Sequence, residues 1–147
     1  MTAPGSVKLL DPRAKLPAYS SADAAGADLY ALTDGPVEIA PGGTALIRTG
    51  IAVAVPQGYV GLVYARSGMA CKRGLAPANK VGVIDADYRG EVMVYLHNHG
   101  AQPQTIEDGE RVAQLVITPY LTARFEPVDE LDCTERGSGG FGSTGKR

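Results

Sequence analysis

Asp85 closes the apolar run "VGVI" and opens "DADYRG", so that Asp87, Tyr88 and Gly90 follow directly behind it. A carboxylate at the end of a strand-type run projects beside a turn rather than into bulk water. There it can serve as a general base toward water, provided a substrate sets the reacting atom nearby. The segment reads as a hairpin turn, with acidic residues that tolerate turn dihedrals and Gly90 to close it. Plain solvation in a turn accounts for Asp85 and Asp87 equally well. A second set lies in "YARSGMACKRG", where Arg66 is a bidentate cation, Ser67 a hydroxyl and Gly68 a flexible backbone. These suit phosphate oxygens, although a short helix capped by Ser67 would use the same residues. Gln114 is a lone polar residue inside "GERVAQLVI", for which a hydrogen-bonded strand glutamine is the plainer explanation.

From about Asp132 the apolar residues vanish, and glycines at 137, 139, 140, 142 and 145 alternate with Ser, Thr, Phe141 and basic residues. Gly140, Gly145 and Lys146 fall at the spacing of a phosphate-binding P-loop, but Arg147 stands where Ser or Thr is required. Arg136, Phe141, Ser143 and Thr144 offer a different set: a cation, an aromatic ring and two hydroxyls on a glycine-rich backbone. That set can cover a base and wrap phosphates. A disordered tail has the same composition, since so little apolar surface cannot hold it in place. His97 and His99 lie two apart and are expected on one side of a strand, without a third ligand nearby to complete a metal site.

The elements that must position these residues are strands. "TALIRTGIAVAVP", "YVGLVYA", "VGVIDADYRGEVMVYLHNHG" and "RVAQLVITPYL" are short β-type runs separated by glycine and proline, with no sustained helical periodicity. The one helical candidate is "RSGMACKRG", about two turns long. In "SSADAAGADLYAL" Gly26 interrupts the alanines, and the segment reads as a strand approached by a loop. The expectation is an all-β fold, a jelly-roll-like antiparallel sandwich or barrel over residues 1–131, followed by a flexible glycine-rich arm over 132–147. With 147 residues, 44% of them hydrophobic, one domain can bury a real core. A net charge of -2 gives no long-range attraction for nucleic acid or an anionic membrane. No apolar stretch is long enough to span a bilayer, and Cys71 and Cys133 stand far apart without partner ligands. A soluble cytoplasmic protein with reduced thiols is expected.

Taken in order, five segments resemble the trimeric dUTPase family across almost the whole chain: "AGADLYA" (25–31), "ARSGMA" (65–70), "GVIDADYRGEV" (82–92), "GERVAQLVI" (109–117) and "RGSGGFGSTG" (136–145). Ala65 departs from the pattern, which usually has proline there; the loss leaves the turn less pre-set but removes no functional side chain. The resemblance implies a homotrimer with shared active sites that hydrolyses dUTP to dUMP and pyrophosphate, keeping uracil out of DNA and supplying dUMP for thymidylate synthesis. It further implies roles for individual residues. Asp85 would activate the water that attacks the α-phosphorus and bind the sugar 3′-hydroxyl, and Tyr88 would lie under the deoxyribose and exclude a 2′-hydroxyl. Asn79 and the backbone of Gly82, Val83 and Ile84 would read the uracil edge, with Met93 nearby. Arg66, Ser67, Gly68 and Gln114 would hold the triphosphate, and Asp28 would meet Mg2+ through water. Arg136, Phe141, Gly142, Ser143 and Thr144 would close over the nucleotide from a neighbouring subunit.

Two other readings share parts of this pattern. A dCTP deaminase has a related fold, but "GVIDADYRG" matches the hydrolase and the chain is short for a deaminase. A nucleotide-responsive regulator would bind without turnover, yet every catalytic position is filled and no insertion separates the five segments.

Overall fold

The computed structural model describes residues 5–141. Its elements are β1 (Ser6–Leu9), β2 (Ala18–Tyr19), β3 (Gly26–Tyr30), β4 (Val37–Ile39), β5 (Thr44–Ala54), β6 (Tyr59–Tyr64), α1 (Ser67–Arg73), β7 (Leu75–Pro77), β8 (Gly82–Ile84), β9 (Glu91–Asn98), β10 (Gln104–Ile106) and β11 (Arg111–Pro119). Strands β1-β5-β9-β7 form one sheet, β2-β3-β11-β6-β8 a second, and β10-β4 a two-stranded third. Pairing is antiparallel throughout. Strand β9 shows why such a fold is stable. Val92, Val94, Leu96 and Asn98 alternate inward and are buried, while Met93 and Tyr95 point outward. The inward sets of the two large sheets meet Ile39 and Ile106 of the small one in a single core that includes Leu29, Ile47, Leu96 and Val112. Each such side chain contributes about 1.5–3 kcal/mol on burial. The antiparallel sandwich, its one short helix, and the strand β3 reached by a loop all agree with the sequence reading.

The segment "DADYRG" does not. Strand β8 pairs with β6, whereas β9 pairs with β5 and β7. Residues 85–90 therefore form a strap that crosses from the five-stranded to the four-stranded sheet, not a hairpin turn. Two apolar runs around turn residues look the same in either case; only the long-range partners tell them apart. Strand β9 ends at Asn98, so His99 lies beyond it. After Pro119, residues 120–141 continue without strand or helix and almost wholly exposed, with Leu121, Phe125, Val128 and Leu131 left uncovered. Among the described residues no helix is long and apolar enough to cross a membrane.

Asn98 is a polar side chain with no exposed surface, and every hydrogen-bonding group it carries is used. Its Nδ2 donates to Ile39 O at 2.9 Å and Gln102 O at 2.8 Å, and its Oδ1 accepts from Gly100 N–H at 2.9 Å. It thereby ties the end of β9 to β4 of the small sheet. Replacing Asn98 by Ala strands one buried and two partly buried backbone groups, and urea denaturation is expected to show a loss of about 2–4 kcal/mol.

Candidate functional site

The first site grows out of strand β8. Its inner neighbour is β6, through the pairs Gly61–Ile84, Leu62–Val83 and Val63–Gly82, and among the described residues it has no partner strand on its other side. That outer edge carries free backbone N–H and C=O groups, which a ligand with a matching donor and acceptor pattern can use. The turn ahead of β8 is tight, with Lys80 N–H donating to Pro77 O at 3.0 Å and Val81 N–H to Asn79 O at 2.8 Å. It sets Asn79 at the mouth of an open cavity of about 250 Å³ whose lining also includes Gly82, Val83, Ile84, Asp85, Tyr88 and Met93. All seven residues read from the sequence as one nucleoside site thus share one concavity. The volume falls short of the ~300–1,000 Å³ usual for a ligand pocket, as expected of a site that holds only part of its ligand.

Within the strap, Tyr88 N–H donates to Asp85 O at 3.1 Å, and the Tyr88 hydroxyl donates to Glu91 O at 3.0 Å. The ring folds back over Gly90, where a Cβ would stand 2.4 Å from the hydroxyl oxygen. Glycine at 90 is therefore what leaves room for the ring. Asp85 itself is exposed, with its carboxylate free to meet water and substrate.

The second site is built on β3 and β11. Asp28 and Gln114 stand directly opposite in the ladder, on the face away from the core. A bulge between Arg111 and Ala113 adds Val112 to the strand and reverses the alternation before it. Arg111 consequently projects on the same face as Asp28 instead of into the core. Asp28 is a buried residue, only 6% exposed, and its carboxylate accepts from Arg66 Nε at 2.7 Å and from Arg111 Nη1 at 3.2 Å. Gln114 Nε2 donates to Ala65 O at 2.9 Å, and its Oε1 comes so close to Gly26 that a Cβ there would lie 2.3 Å away. Asp28, Arg66, Ser67, Gly68 and Gln114 share a second open cavity of about 550 Å³ with Ser20, Ala24, Ala25 and Gly26. The Arg66 guanidinium, a hydroxyl and an amide line this cavity, with Arg111 held behind Asp28, and such a set suits a polyanion.

Ser67 is not the helix cap. Arg66 occupies the N-cap position without a side-chain capping bond, and Ser67 is the first helical residue, its side chain exposed. The helix is instead held from its other end, where Arg73 donates to Gln104 Oε1 at 3.0 Å and Thr105 O at 2.6 Å, and pairs with Glu110. The sequence reading missed both Arg111 and Arg73: the first depends on the bulge, the second on a partner 31 to 37 residues away.

Magnesium fits Asp28 in one way only. A carboxylate offers about four lone-pair sites, and two are taken by arginine. The remaining two suit a metal-bound water better than direct ligation, since the charge is already shared. Among the described residues no cluster of three His, Cys, Asp or Glu could hold a metal. His97 meets Thr44 Oγ1 at 3.1 Å, while His99 meets Ala70 O at 3.3 Å, so the two histidines do not converge.

The two cavities have no lining residue in common. Arg136 and Phe141 line neither one; Arg136 Nε donates to Gly139 O at 2.8 Å within its own turn, and Phe141 is fully exposed. Gly142, Ser143 and Thr144 lie outside the described residues.

The family model for dUTPase matches residues 12–145. The chain is 51% identical over 139 residues to a deoxyuridine 5′-triphosphate nucleotidohydrolase of Syntrophotalea carbinolica, covering 95% of both chains. Identity is 48% to the protein of the same name in Paraburkholderia phymatum, over 95% of this chain and 97% of that one. Among solved structures it is similar to a mutant dUTPase of Staphylococcus bacteriophage 80alpha with dUpNHpp, at a TM-score of 0.88 and 32% identity, covering 98% of this chain and 99% of that one. It is also similar to a mutant dUTPase of an S. aureus phage described with a structural Mg(II) ion, at a TM-score of 0.77 and 28% identity, over 87% and 98% of the respective chains.

Replacing Gly26 by Ala puts a carbon where Gln114 Oε1 now lies. The expected result is a folded protein whose affinity for inorganic triphosphate, measured by calorimetry, falls about tenfold through loss of one well-placed donor. Unchanged affinity would remove Gln114 from polyanion binding.

Proposed function

Because this chain belongs to the dUTPase family and hydrolyses dUTP to dUMP and pyrophosphate, we propose that its two cavities are the two halves of one catalytic site, joined when three copies assemble. The observation that carries this reading is the separation itself. A nucleoside half around Asp85 and Tyr88 and a phosphate half around Arg66, Ser67 and Gln114 share no lining residue within one chain. A nucleoside triphosphate must touch both. A second copy supplies the missing half, and the exposed segment after Pro119 gives the chain the reach to bring Arg136 and Phe141 to a neighbour.

In that assembly the free edge of β8 and Asn79 read the uracil. Fixed backbone donors and acceptors reject cytosine, and the tight turn leaves no space for thymine's methyl. Tyr88 lies beneath the deoxyribose and leaves no room for a 2′-hydroxyl, while Met93 flanks the base. Asp85 binds the 3′-hydroxyl and takes a proton from the water that attacks the α-phosphorus, contributing about 10²–10⁴-fold. Arg66, Ser67, Gly68 and Gln114 hold the triphosphate, Arg136 pairs with its γ-phosphate, and Phe141 stacks over the uracil. Gly142, Ser143 and Thr144 complete the phosphate clamp. Asp28 would hold Mg2+ through water, and the ion would supply charge neutralisation on the phosphates. Exposed, unpaired Cys71 and Cys133 accord with a reducing cytoplasm.

Asp85→Asn keeps the shape of the side chain and removes its basicity. Pyrophosphate release from dUTP is expected to drop at least about 10²-fold with nucleotide binding retained; near-normal single-turnover hydrolysis would take Asp85 out of the role. The shared site has its own test. A variant lacking residues 134–147 and the Asp85→Asn variant are each expected to be inactive, yet their mixture, refolded together, should recover part of the turnover. Mixed trimers without activity would show that base and arm come from the same chain.

A further inference from the structure

Glu91 stands at the first position of β9, beside the nucleoside cavity, with its side chain 16% exposed. Its carboxylate does not face the ligand. Oε1 accepts from the backbone N–H of Gly50 at 2.8 Å and from Arg48 Nε at 3.1 Å, and Oε2 accepts from Arg48 Nε at 3.2 Å. Gly50 lies in the irregular stretch of β5 where residues 49–51 oppose Val92 alone, between the pairs Arg48–Met93 and Ala52–Glu91. The stretch cannot easily move. Gly50 has a φ of 69°, a Cβ on it would stand 2.6 Å from Leu32 Cδ2, and the neighbouring Thr49 hydroxyl donates to Val92 O. The carboxylate thus fastens the start of β9 to a rigid part of the core. The carbonyl of the same residue accepts the Tyr88 hydroxyl.

We propose that Glu91 is a positioning residue for sugar selectivity: its carboxylate, anchored on Gly50 and Arg48, fixes the carbonyl that holds Tyr88 in place against the deoxyribose. This rests on the reading of Tyr88 as the wall that excludes a 2′-hydroxyl. Asp85 is held less directly, through the Tyr88 N–H, so discrimination between sugars should suffer before the chemical step does.

The test compares dUTP with UTP, measuring kcat and KM for each by pyrophosphate release. In Glu91→Ala, KM for dUTP is expected to rise more than kcat falls, and the preference for dUTP over UTP to shrink by about tenfold, in line with one lost, partly buried hydrogen-bonded anchor. Glu91→Gln retains an acceptor for Gly50 N–H and should restore most of the preference, which a role in folding alone would not predict. Tyr88→Phe removes only the hydroxyl; added to Glu91→Ala it should lower the preference little further, because both act through one contact. A folded Glu91→Ala protein with parental preference would overturn the proposal, as would a Tyr88→Phe effect fully additive with it. Should Glu91→Ala fail to fold, Glu91→Asp decides, because it keeps the charge but withdraws it from Gly50; an unchanged preference there overturns the proposal. If the parent protein itself admits UTP as readily as dUTP, the reading of Tyr88 fails first, and the Glu91 proposal with it.

Discussion

A carboxylate withdrawn this far from water needs cations beside it, and the cluster around Asp28, a residue only 6% exposed, is organised around that requirement. Asp28 draws Arg66 and Arg111 to itself from two different elements, one past the end of β6 and one at the start of β11. Without it the two guanidiniums would repel each other. Its presence assembles positive charge before any substrate arrives, so little reorganisation is left for the moment of binding. Under the function proposed above, an incoming triphosphate meets donors already aimed at it, and this preorganisation is where electrostatic catalysis draws its advantage over water.

The nucleoside half obeys a different constraint. Under the function proposed above, selectivity for a base is obtained from an unpaired strand edge, which most proteins cover or blunt because it invites other strands. Strand β8 is only three residues long, and the strap of residues 85–90 leaves the sheet directly afterwards. A short edge flanked by a tight turn and a crossing strap can accept one flat ligand and has no length for a β-strand. The crossing also carries Asp85 and Tyr88 from one sheet to Glu91 at the start of β9 in the other, so that the core of one sheet positions side chains at the rim of the other.

Strand character, the one short helix and the loop before β3 were legible because alternation and glycine spacing are local properties. So was the grouping of Asn79, Asp85, Tyr88 and Met93, which the resemblance supplied and the cavity gathers together. What stayed illegible was set by distant partners. The strap looked like a hairpin because nothing in "DADYRG" says which strands pair. Ser67 looked like a cap because its type and place fit one, yet the brace on α1 comes from Gln104, Thr105 and Glu110. Arg111 carried no signal at all, since period-two counting places it in the core unless the extra residue at Val112 is known.

Leu121, Phe125, Val128 and Leu131 remain in water in the single chain, at 64% to 98% exposure. Burying apolar area gains about 25 cal/mol per Å², but one chain alone offers these side chains no surface to cover them. In the assembly proposed above, that part of the free energy belongs to the contact between chains and is collected only as copies meet. The fold's resistance to heat then carries a mass-action component, rising with protein concentration, and the melting temperature is a property of the solution as much as of the sequence.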